Sequence, residues 1–140
     1  MEKSLKVLKE EYQEFIAKLP EYLTTIQSIL NKTSLEFSFE EIESVYVLYK
    51  TYYQKPEQLG LTYTALEQIF YAYLGEAFRY RNGGEWSLST TKTDEAYGTP
   101  TIEKWGREDY PWSRISPKVW RIRLERGILG PAQKIFRKVE

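Results

Sequence analysis

Glu76, Arg79, Arg81 and Glu85 set four charges around the glycine pair Gly83-Gly84 in the stretch YLGEAFRYRNGGEWSLS, residues 73–89. Two carboxylates beside a glycine turn, with arginines between them, are the residue types of a general acid/base couple with a guanidinium clamp. The same residues also fit a plain joint. Glu76 and Arg79 stand three apart on a predicted helix and can pair with each other. Gly83 suits the position just past a helix end, where left-handed backbone carries no Cβ penalty. Gly84 completes a tight turn, Glu85 opens a strand, and Trp86 anchors that strand in the core. A phosphate cradle needs strand, glycine loop and then helix, so that amide N–H groups converge on the ligand. Here the helix comes first. Gly83, Gly84, Glu85 and Trp86 therefore read as a structural joint. The alternative is a small-ligand-binding domain or carboxylate-dependent enzyme with a pocket at 76–86.

The chain contains no Cys and no His. Disulfides, thiolate nucleophiles, thiolate or His-based zinc sites, catalytic triads and the usual neutral-pH proton shuttle are thereby excluded. Any catalysis would rest on carboxylates, Tyr, Lys, Arg or Ser/Thr. Asp94, Glu95, Glu103, Glu108 and Asp109 have no EF-hand or other recognisable ligand spacing, so neither a metal nor a cofactor is expected.

Recognition of another protein is the other chemistry these residue types offer. Glu36, Glu40, Glu41 and Glu43 are the densest acid cluster, and Tyr46, Tyr49, Tyr52 and Tyr53 follow on the same predicted helix. Acids steer basic partners and Tyr rings anchor interfaces, so Glu36, Glu40, Glu41, Glu43, Tyr49 and Tyr52 are the candidate partner-binding residues. The plain alternative is that the tyrosines pack the core and the acids solvate a helix, Glu40 and Glu41 favouring its N-terminal dipole. Tyr outnumbers Phe by 12 to 6, with 4 Trp besides, a palette of rings with polar tips suited to half-buried positions and interfaces.

Net charge is zero but unevenly divided: residues 1–76 carry 12 acids and 7 bases, residues 114–140 carry 2 acids and 8 bases. The basic tail RISPKVWRIRLERG mixes Arg with Trp, as nucleic-acid binders do. Its apolar members, however, form one packed face, and the pI of about 6.4 is not that of a typical nucleic-acid binder. No nucleic-acid partner is expected.

The elements that must position these residues follow from periodicity. Leu5, Leu8, Tyr12, Phe15 and Leu19 recur at helical steps, and Pro20 opens a second helix carrying Leu23, Ile26 and Leu30. Ser38 and Glu41 spell a capping box before a helix whose apolar face is Ile42, Val45, Tyr46, Tyr49 and Tyr53. Pro56 and Gly60 close that segment, and a further helix starts near Thr62. Beyond Gly83 the period changes to that of strands, EWSLST and GTPTIEKWG, able to pair as an antiparallel hairpin. In 118–126, WRIRLE alternates as a strand can, while the Ser116-Pro117 start and the Gly127 stop favour a helix. A last helix is predicted from Pro131 to Lys138. The 140 residues suit one domain, 1–140, of α+β class: N-terminal helices packed on a small antiparallel hairpin sheet, closed by C-terminal helices. The segment MEKSLKVLKEEYQEF has no continuous apolar core, and no run approaches the roughly 20 apolar residues of a membrane span. A soluble, cytoplasmic protein is expected.

From about Tyr71 to Val139, YLGEAFRYRNGGEW, then YGTPTI, then ISPKVWRIRLERG and a short final helix resemble a group of small bacterial domains. Several of these are similar to immunity proteins encoded beside polymorphic toxins. The resemblance implies a non-catalytic protein partner, a cognate toxin domain, and carries no catalytic set; the acidic N-terminal half suits a basic target such as a nuclease. With only oxygen ligands scattered along the chain, thermal melts with and without EDTA are expected to superimpose, and a fall of several degrees on chelation would overturn that expectation.

Overall fold

Short polar side chains start four of the helices. The computed structural model describes residues 3–106 and 114–137. Ser4 caps α1 (Leu5–Ala17), Ser38 caps α3 (Phe39–Tyr52), Thr62 caps α4 (Tyr63–Asn82) and Ser116 caps α5 (Pro117–Glu125), each hydroxyl accepting from the backbone N–H three residues on. Such caps satisfy amides that the first helical turn leaves without partners. α2 (Leu19–Ile29) takes Pro20 in its first turn, and a 3-10 turn at Pro56–Leu59 ends on Gly60 with φ 73°. The final helix α6 covers only Ala132–Ile135. It is shorter than its periodicity predicts, and the predicted end at Lys138 lies outside the described residues, as do Glu108 and Asp109. The alternating WRIRLE is helix, as its Ser-Pro start dictates.

The strands β1 (Glu85–Leu88) and β2 (Pro100–Glu103) pair antiparallel with Trp86 opposite Ile102. A third strand that the sequence did not signal, β3 (Arg114–Ile115), adds to the other edge of β2. Two residues are too few to show an alternation. The hairpin loop is pinned by Asp94, whose carboxylate accepts from Ser89 Oγ at 2.6 Å and from Ala96 N at 3.1 Å. These bonds hold its carboxyl below the ordinary range. The architecture is α+β, with helices α1 to α4 before the sheet and α5 and α6 after it. No helix among the described residues is long and apolar enough to cross a membrane.

α4 is the hub. Its residues from Ile69 to Gly75 are all buried, which a surface helix with one apolar stripe could not show. α2, α3, α5 and β2 all pack against it. Gly75 lies in the middle of this helix, where glycine is a poor choice by propensity. The reason is packing: a Cβ there would overlap the six-membered ring of Trp86, so only glycine lets the strand's indole lie on the helix backbone. The indole also meets Phe15 edge-on at 5.2 Å. Gly75→Ala is therefore expected to destabilise the fold by about 1–3 kcal/mol through overpacking, against the roughly 1 kcal/mol gain that helix propensity alone gives. Urea melts decide between them, since a stabilised variant would mean that Trp86 does not sit on Gly75.

Candidate functional site

The glycine joint is structural in detail. Gly83 follows α4 with φ 75° and ψ −163°, a region open in practice only to glycine. A Cβ on Gly83 would meet nothing within 4 Å, whereas one on Gly84 would press on Ile102 at 2.7 Å and on the Glu103 carbonyl at 2.9 Å. Gly84, not Gly83, is thus the more constrained of the pair. Arg79 locks the turn: its Nη1 donates to both Glu76 oxygens, at 3.0 and 2.8 Å, and its Nε donates to the Gly84 carbonyl at 3.0 Å. Glu85 is exposed and faces Lys104 at 3.6 Å. Each of the two carboxylates of the supposed acid/base couple is thus matched to a different cation, and two clefts of the molecule lie elsewhere. Trp86 is half-buried, not deeply buried, because one side rests on Gly75 at the rim of the core.

The acidic cluster divides into two interior and two exterior members. Glu41 is only 2% exposed. Its Oε2 accepts from Lys32 Nζ at 2.7 Å and from the Glu36 amide at 2.9 Å, while Oε1 accepts from the Phe37 amide at 2.9 Å and from the Tyr73 hydroxyl at 2.6 Å. The expected capping box is therefore only half formed. Ser38 accepts from the Glu41 amide at 3.1 Å, but the Glu41 carboxylate reaches past the cap into the preceding loop. Burial alone would raise the Glu41 carboxyl, but the hydrogen bonds from Lys32, Tyr73 and the two amides outweigh it and hold the group below its ordinary value. The Tyr73 hydroxyl moves the other way, raised by burial and by that carboxylate. Glu43 is half-buried and accepts from the Ala132 amide at 2.9 Å, which fixes α6. Only Glu36 and Glu40 remain on the surface.

The tyrosines divide in the same way. Tyr49, offered by the sequence as a partner contact, is 1% exposed. Its ring packs on Phe70 at 4.4 Å and its hydroxyl donates to Glu125 at 2.5 Å. Glu41 and Tyr49 therefore present nothing to a partner. Tyr52 stays half-buried beside Lys55.

An exposed aromatic that the sequence reading missed lies close by. Tyr80, on the last turns of α4, is 70% exposed and packs against the Phe37 ring at 5.5 Å. Phe37 has φ 55°, a left-handed conformation unusual for a bulky residue. Just before it, the Glu36 and Phe37 amides both point at one carboxylate, that of the protein's own Glu41. Arg81 closes the other side. Its Nη1 donates to the Phe37 carbonyl at 3.2 Å, its Nε to the Phe136 carbonyl at 2.7 Å, and its guanidinium stacks 4.0 Å above the Phe39 ring. The result is a short loop clamped from both sides, with Glu36, Phe37 and Tyr80 at its outer face.

The basic tail also turns inward. Trp120 belongs to the core and cannot stack on a base without leaving it. Arg121 donates to the Tyr71 hydroxyl at 2.8 Å, the Tyr63 hydroxyl at 2.9 Å and Glu125 at 3.0 Å, with Glu67 at 3.6 Å. Burial disfavours its charge, but Tyr71 and Glu67 more than compensate and keep it protonated. The Arg121–Glu125 spacing of four was the signal available in the sequence. Among the described residues no group of three acids converges as a metal ligand set would.

No protein-family model matches the chain, and no curated protein or solved structure does either.

Because the folded Glu41 carboxyl titrates below its unfolded value, its contribution to stability is complete above about pH 4.5 and is lost as pH falls through the folded value. Glu41→Ala is expected to cost about 2–4 kcal/mol by leaving the Tyr73 hydroxyl and two amides without their acceptor. Glu41→Gln should flatten the loss of stability as pH falls below about 4.5. Urea melts across that range check both, and an unchanged acid slope in the Gln variant would place the stabilising carboxylate elsewhere.

Proposed function

We propose that this chain is a non-catalytic protein-binding protein, an immunity protein that neutralises a bacterial toxin domain by covering its surface in the cytoplasm of the producing cell. The observation that carries the reading is the clamped outer face of the 36–40 loop: exposed Glu36 and Glu40 beside Phe37 and the largely exposed Tyr80. Rigid aromatic anchors lose little conformational freedom on binding, and Tyr is among the residues that dominate interface energetics. Flanking carboxylates give such an anchor a preference for a basic partner and speed encounter with it. A nuclease domain is basic because it must hold phosphates, and an acidic surface competes for the same field. The inward use of Arg79, Arg81, Arg121, Glu41, Glu76 and Glu125 supports the same reading, since each of these groups is bound within the fold.

The test is coexpression with any toxin-like domain that proves to be encoded beside this gene, followed by binding kinetics on the purified pair. The expected result is restored growth and a stable complex. Glu36→Lys with Glu40→Lys should slow association at low salt about ten-fold and weaken its salt dependence. Tyr80→Ala should instead speed dissociation, at a cost of about 2 kcal/mol. Glu43 is left unchanged because it holds α6. Unchanged association at low salt would remove the acidic face from the interface and direct attention to the exposed arginines of the C-terminal segment.

A further inference from the structure

The apolar stripe of α1 is not used as its sequence dictates. Leu5, Leu8, Tyr12 and Phe15 mark one face of this helix, yet Phe15 alone of its residues is buried. Leu8, Tyr12 and Phe15 instead line a cleft of about 590 Å³ whose opposite wall is the first turns of α4 and the Gly98–Pro100 segment. That size lies within the range of small-molecule sites, about 300–1,000 Å³.

The chemistry of the cleft narrows what it can hold. Tyr12, Phe15, Tyr22 and Tyr71 all contribute to its walls, and the Phe15 and Tyr22 rings stand 5.7 Å apart. Its charges are matched in pairs. Lys3 meets Glu11 at 2.8 Å, Lys18 meets Glu14 at 2.8 Å, and Glu67 faces Arg121 at 3.6 Å. An ionic ligand would have to break one of these pairs or remain uncompensated near the protein's apolar wall. The hydroxyls of Tyr12 and Tyr22 make no hydrogen bond to the described residues, whereas that of Tyr71 accepts from Arg121. Two half-buried phenols thus line a space in which each acid already faces a base, Glu67 through Arg121 behind the wall.

We infer that the α1–α4 cleft is a binding site for an uncharged, planar aromatic molecule with hydrogen-bonding groups at its edge. The half-buried rings of Tyr12 and Tyr22 supply faces for offset stacking, and their hydroxyls fix the orientation of the ligand. The site is separate from the 36–40 surface, and neither proposal depends on the other.

Prodan, a neutral naphthalene ketone whose emission shifts to the blue in apolar surroundings, is the probe. Its anionic counterpart is anilinonaphthalene sulfonate. With the full chain, prodan emission should shift and saturate at one equivalent, and the sulfonate should bind about ten-fold more weakly, since burying its charge here finds no partner. Ala65→Trp fills the cleft from the α4 wall and should abolish the shift. Thr64→Trp, at an exposed position on the same wall, provides a second blocking variant if the first does not fold, as judged by its thermal melt. Tyr22→Phe should weaken binding several-fold without altering the melt. Saturable binding lost in a folded blocking variant supports the site. Absence of a saturable shift, equal affinity for the sulfonate, or undiminished binding in a folded blocking variant would each overturn it.

Discussion

The buried carboxylate of Glu41 is the constraint on which the N-terminal half of this structure depends. Removing a carboxylate from water costs several kcal/mol, and the cost is offset only when its lone pairs are filled with good geometry. Glu41 has four donors, drawn from the loop before α3, from Lys32 and from Tyr73 in the middle of α4. Each donor fixes a different piece of chain. The two amides anchor the loop at Glu36 and Phe37, the ammonium holds the end of the α2 connection, and the phenol ties α3 to the central helix. Once that node is formed, the position of Phe39 under Arg81 and of Phe37 beside Tyr80 follows from short tethers.

A second node, Arg121, performs the equivalent task for the C-terminal half. It joins α5 to Tyr63, Tyr71 and Glu67 of α4, while Glu125 reaches Tyr49 of α3. Both nodes combine a charge drawn into the fold with tyrosine hydroxyls, which accounts for Tyr rather than Phe at 49, 63, 71 and 73. A phenol delivers the apolar area of a core ring and also satisfies a buried ion at its tip. The composition that first reads as an interface palette is therefore in part a device for wiring charges into a small core. The surface function rests on the few groups left over, with Tyr80 foremost.

These nodes also bear on specificity. Networks in which every member is satisfied stiffen the elements they join. A loop held by Glu41 on its amide side and by Arg81 on its carbonyl side presents Glu36, Phe37 and Tyr80 with little freedom to lose on binding. α1 is different. It is held mainly through Phe15 against Trp86 and Tyr22, and the cleft along its apolar face leaves that stripe available.

Much of the architecture was legible in the sequence because it rests on local rules. Caps at Ser38, Thr62 and Ser116, Pro20 and Pro117 in first turns, and the change of period after Gly83 each depend on residues within a few positions. These alone determine helix starts, the hairpin and the α+β class. What they could not supply is direction across the chain. Glu36, Glu40, Glu41 and Glu43 are chemically alike, and only the packing of α4 and α6 decides that two turn inward and two stay outside. Tyr49 and Tyr80 differ for the same reason: one finds Glu125 across 76 residues, the other lies at the surface beside the Phe37 ring. Gly75 looks like a defect in a helix until Trp86, from a strand that follows, is laid upon it. A side chain's role depends on the solvent or partner it meets, and for distant partners that is fixed by the tertiary structure.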